Sequence, residues 1–62
     1  MTEKQTNVLH SLYAAENYSE MLNLFLDVDY RITRGMFRKG IIRWDEKNQL
    51  VITDSGLSWL EG

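Results

Sequence analysis

Between residues 2 and 28 the apolar positions fall into two helical stretches. Val8, Leu9, Leu12 and Tyr13 recur at i, i+1, i+4 and i+5, which lays one stripe along a helix. That helix is expected from about Thr2 to Glu16. Thr2 is suited to its N-cap, Glu3 sits near the positive end of its dipole, and Asn17 serves as a stop. A second helix is expected to begin at Ser19, a further N-cap candidate. Met21, Leu22, Leu24, Phe25, Leu26 and Val28 make it apolar over much of its circumference. It is therefore expected to be the central, most buried element, ending between Asp27 and Asp29.

The pattern then changes sides. In "DYRITRGMFRK", residues 29–39, Asp29 can cap a third helix. Arg31, Arg34 and Arg38 fall within a sector of about 60° at roughly 100° per residue. Ile32, Thr33, Met36 and Phe37 lie across from them. This helix has a core face and a cationic face. Gly35 costs it about 1 kcal/mol relative to Ala and stands near the cationic side, where a missing Cβ leaves room for a partner or simply weakens the helix. Gly40 supplies a left-handed residue that ends it.

Period-two patterning follows. "IIRW" and "QLVIT" are β-branched and aromatic, and "DEKN" between them is turn chemistry. The expectation is a hairpin of residues 41–44 and 49–53, with Leu50 and Ile52 on one face. The tail, "TDSGLSWLEG", reads as a short helix capped by Thr53 or Ser55, with Trp59 and Leu60 folding back on the core and Leu57 facing outward. The element order is α-α-α-β-β-α, an α+β, mostly helical fold in a single domain, 1–62.

Composition narrows what this fold can do. The chain has 62 residues, no Cys, no Pro, one His and a net charge of −2. A chain this short buries only about 60% of the surface its unfolded form exposes, so its core is small and self-association is a natural support. Without Cys there is no thiolate nucleophile, disulfide or Cys-type zinc site, and His10 alone is too little for a His-rich metal site. No Ser-His-Asp arrangement, glycine-rich phosphate loop or metal spacing is visible. Asp27 and Asp29 read as turn and cap residues. The expectation is no enzyme, no metal and no cofactor. "MLNLFL" is far shorter than the roughly 20 residues that span a bilayer, and the reading is a soluble, cytoplasmic protein with no membrane partner.

The charges are segregated. Of the seven Lys and Arg, five (Arg31, Arg34, Arg38, Lys39 and Arg43) lie between residues 30 and 43, where there is no carboxylate. The other two, Lys4 and Lys47, share the rest of the chain with all nine acids. Because screening confines each charge to about 8–10 Å, a local basic patch can draw an anion to an acidic protein.

Two stretches resemble the winged helix-turn-helix family of DNA-binding domains. "MFRKGIIRW" is similar to the end of a recognition helix entering the first wing strand: Met36, then Arg38 and Lys39, Gly40, Ile41 and Ile42. "LVITDSGLSWL" is similar to the second wing strand entering the terminal helix: Ile52, Thr53, Gly56, Trp59 and Leu60, with Trp59 at a core position. The resemblance implies sequence-specific binding of double-stranded DNA by a prokaryotic or phage-type transcription regulator, such as a repressor. Helix three, about residues 29–39, would lie in the major groove.

On that reading Arg31 and Arg34 stand nearest the bases, since an arginine fork bonds guanine O6 and N7 together. Tyr30 and Thr33 flank them, and Arg38, Lys39 and Arg43 suit phosphates. Lys47 is the one cation of a wing tip that also carries Asp45 and Glu46. Exposed apolar residues of the first and last helices, Leu57 among them, suggest a homodimer on a near-palindromic site. The alternative is a protein-interaction module, an adaptor or inhibitor on the same scaffold, with an acidic protein surface as partner of helix three.

Overall fold

A computed structural model describes residues 1–62. The elements run α1 (Glu3–Ala14), α2 (Tyr18–Asp27), α3 (Tyr30–Arg38), β1 (Ile42–Trp44), β2 (Leu50–Ile52) and α4 (Asp54–Glu61). This is the expected α-α-α-β-β-α order in a mostly helical α+β chain. No helix is long and apolar enough to cross a membrane.

The helix ends follow from local hydrogen bonding. At α1 the Thr2 hydroxyl accepts the Gln5 N–H at 3.1 Å, and Gln5 Oε1 accepts the Thr2 N–H at 3.1 Å. This reciprocal capping box satisfies two donors that the helix itself cannot. The helix stops at Ala14, short of the expected Glu16. At α2 the cap is Asn17, not Ser19: Asn17 Oδ1 accepts the Glu20 N–H at 2.8 Å. Its amide oxygen reaches the third helical residue as a Ser hydroxyl would, so the helix starts earlier than expected, at Tyr18.

Asp29 caps α3 as expected. At the other end of α3, Gly40 has φ of +70°, with its N–H on the Phe37 carbonyl at 3.0 Å and the Ile41 N–H on the Met36 carbonyl at 3.0 Å. This pair of bonds is a Schellman motif, and it delivers Ile41 directly into the core beside Met36.

The hairpin is antiparallel, with Ile42 opposite Ile52, Arg43 opposite Val51 and Trp44 opposite Leu50. Asp45 builds its turn. One carboxylate oxygen, Oδ1, accepts the N–H groups of Lys47 (2.8 Å) and Gln49 (2.9 Å), and Asn48 adopts φ of +61°. The acid in the wing tip is thus a turn residue.

Thr53 joins the hairpin to α4. Its oxygen accepts the Gly56 N–H at 3.1 Å, while its hydroxyl donates to the carbonyls of Gly40 and Ile41. Tyr18 ties α2 to the sheet, its phenolic oxygen accepting the Leu50 N–H at 2.9 Å.

The core consists of Leu9, Leu12, Met36, Ile41, Ile42 and Leu50. It draws on α1, α3, the hairpin and the residue leading into it. Two expectations fail here. Helix α2 contributes no fully buried residue, and Leu26 is 69% exposed. Helix α2 packs on α1, reaches the hairpin and α3 through Tyr18 and Phe25, and leaves its remaining face open. Trp59 does not fold back: it is 52% exposed, and Leu60 alone of that pair packs against the core.

Candidate nucleic-acid interface

Helix α3 is the most strongly amphipathic of the four, and its two faces are chemically pure. Met36 and Thr33 are buried, and Ile32 and Phe37 are half-buried against the core. Arg31, Arg34 and Arg38 are all exposed on the remaining arc. Arg34 and Arg38 make neither an ion pair nor a side-chain hydrogen bond, so both guanidinium groups are free to meet an anion.

The other cations are partly engaged. Lys39 is exposed, and its Nζ donates to Gln5 Oε1 at 3.0 Å. Arg43 projects from the solvent side of β1, with only a long 3.5 Å bond from Nη1 to the Trp44 carbonyl. Lys47 lies in the exposed hairpin turn, apart from the helix.

Arg31 is the exception on the cationic face. Its Nη2 is 3.0 Å from Asp29 Oδ2, the only ion pair in the protein, and its Nε lies 3.3 Å from both carboxylate oxygens. Asp29 Oδ1 also accepts the Arg31 backbone N–H at 2.9 Å, which is the cap bond. The carboxyl of Asp29 is accordingly held below its ordinary pKa, first by the side-chain hydrogen bond from Arg31 and then by that backbone N–H. The Arg31 guanidinium is shifted upward by the same contact. Its charge is therefore locally neutralised, although its side chain remains 77% exposed.

Two residues near the face stand differently from expectation. Thr33 is 4% exposed, and its hydroxyl donates to the Tyr30 carbonyl at 3.1 Å. It points into the protein because it lies on the same arc as Met36, so it cannot flank the arginines or reach a base. Tyr30, by contrast, is 67% exposed at the first position of the helix. Gly35 does not open space for an outside partner. The gap left by its missing Cβ is filled by the Gln5 amide from α1.

Beside the last turn of α3 is an aromatic group that the charge pattern did not reveal. Phe37 stacks on Trp44 with ring centroids 5.9 Å apart, and Phe25 meets both rings edge-on, at 6.0 Å and 5.6 Å. The cluster joins α2, α3 and β1. It fixes the turn end of β1 relative to Phe37, the residue next to Arg38. No protein-family model, curated protein or solved structure matches this chain.

Proposed function

We propose that this protein is a winged-helix DNA-binding domain, working in the cytoplasm as a transcription regulator. Helix α3 enters the major groove, and β1 brings Arg43 to the adjoining backbone. The observation that carries this reading is the pair of unpartnered, exposed guanidinium groups of Arg34 and Arg38, with Lys39 and Arg43 beyond them and no carboxylate from residue 30 to 43. Such a face is self-repelling in the free protein, and a phosphate-lined groove relieves it.

The division of labour follows from position. Tyr30, Arg31 and Arg34, on the first turns of the helix, reach base edges. Arg38, Lys39 and Arg43 hold phosphates and fix the register. Asp45 and Glu46 keep the wing tip off the backbone. A two-fold dimer is supported by exposed Tyr13, Leu57 and Trp59 on α1 and α4, two helices in contact with each other.

The test is anisotropy with duplexes enriched from a random pool. Arg34→Ala should lose about 1–3 kcal/mol of preference for the enriched site, and Arg38→Ala should weaken binding to every duplex alike. Equal effects would contradict the division. Absence of duplex binding, together with flow-through from heparin, would leave the rival reading of a protein-interaction module.

A further inference from the structure

We infer that Asp29 is a specificity-determining positioning residue: it holds Arg31 as a pre-aimed reader of one guanine. The inference rests on the DNA-binding reading above and assigns one contact within it.

A guanidinium offers five N–H donors in a rigid plane. Asp29 occupies one edge of that plane, the edge formed by Nε and Nη2. The N–H groups of Nη1 and the second N–H of Nη2 stay unused, and they form the end-on edge of the fork. That edge matches the paired acceptors N7 and O6 that guanine shows in the major groove. The side chain is 77% exposed, so the free edge is open to a ligand.

Asp29 is well built for the task. Its carboxylate is anchored by the Arg31 backbone N–H at the first turn of α3, so the acceptor is fixed to the helix rather than to a loop. Arg31 gives up little rotamer freedom on docking, whereas Arg34 and Arg38 must be ordered at that moment. The pair carries no net charge and adds little to the pull on phosphates. What it supplies is direction. Neutralising a cation on a binding face costs attraction, and a fixed fork is what that face gains in exchange.

Asp29→Asn tests this, because Asn caps a helix about as well as Asp while removing the charged partner. The starting point is a duplex enriched with the wild-type protein and a scrambled duplex of equal length. The variant should bind the enriched duplex about tenfold more weakly and the scrambled one more tightly, since a negative charge has left the face. Arg31→Ala should erase the guanine preference, and adding Asp29→Asn to it should change that preference no further.

A second measurement needs no variant. Replacing the selected guanine by 7-deazaguanine removes N7 and should cost the wild type about tenfold. If Asp29→Asn alters both duplexes by the same factor, or if 7-deazaguanine is bound as tightly as guanine, the inference falls while DNA binding stands. If no duplex is bound at all, the functional reading falls and takes this inference with it.

Discussion

The side-chain amide of Gln5, on α1, occupies the space that a Cβ on Gly35 of α3 would fill. Gln5 is 8% exposed, and its Oε1 accepts both the Thr2 N–H and the Lys39 ammonium. One glutamine therefore closes the α1 cap, holds a cation at the end of α3 and sets how closely the two helices approach. Gly35→Ala brings two opposing effects. Ala gains about 1 kcal/mol of helix propensity, and displacing the Gln5 amide costs about 0.5–2 kcal/mol of capping. The net change in stability should stay within about 1 kcal/mol by these magnitudes, while the Gln5 and Lys39 side-chain NMR signals shift. A large loss of stability with those signals unmoved would contradict the contact.

Gly56→Ala should behave differently. A Cβ there would lie 2.5 Å from the Ile41 carbonyl oxygen and 2.7 Å from Ile52 Cγ2. The first is backbone, held by two hydrogen bonds from Thr53, and cannot swing aside. Overpacking of this kind costs about 1–3 kcal/mol, and in a domain of this size each kcal/mol lowers Tm by about 4–8 °C. Thermal unfolding should place Gly56→Ala well below Gly35→Ala.

Trp44 is a built-in reporter of the interface. It is 45% exposed and stacks on Phe37, the residue before Arg38. In a Trp59→Phe variant it is the sole tryptophan, because the chain has two. Its emission should change as duplex is added and should saturate with the anisotropy. Emission that stays constant through saturation would place the bound surface elsewhere.

The cap of α3 titrates. The carboxyl of Asp29 has its pKa lowered in the folded protein, so its contribution to stability is complete above the ordinary value of 3.8 and is lost as pH falls through the folded midpoint. Carboxyl-carbon NMR should give Asp29 a midpoint below 3.8. Arg31→Ala should move that midpoint upward but not all the way, because the backbone N–H still bonds the carboxylate. A midpoint that ignores the Arg31 substitution would show that the pair does not form in solution.

Much of this fold could be read from residue spacing. The α3 boundaries, the cap at Asp29, the stop at Gly40 and the hairpin each rest on short-range rules, and each holds to within a residue or two. The capping box was legible too: Thr2 and Gln5 have the required spacing, although only the Thr2 half of it suggested itself. What spacing cannot convey is which neighbours exist to cover a face. Helix α2 has the composition of a buried helix, yet no element of the fold lies over Leu26. Trp59 is likewise left half-exposed.

At the candidate site, helix phase placed Arg31, Arg34 and Arg38 on one arc. It could not show that Arg31 turns back to Asp29, a choice of rotamer and not of phase. Thr33 looked available because it is polar, but its position on the arc of Met36 decides its burial. Gly35 looked open because its neighbour across the helices, Gln5, lies 30 residues away in the sequence.

The most direct test of the account is the salt dependence of binding to a double-stranded duplex. Three exposed cations, Arg38, Lys39 and Arg43, face solvent at and beyond the end of α3. If they meet phosphates, log K should fall linearly with log salt, with a slope of about −3 per bound chain. Arg38→Ala should make that slope shallower by about one. A slope near zero, or no association with the duplex even at low salt, would contradict DNA binding by this face.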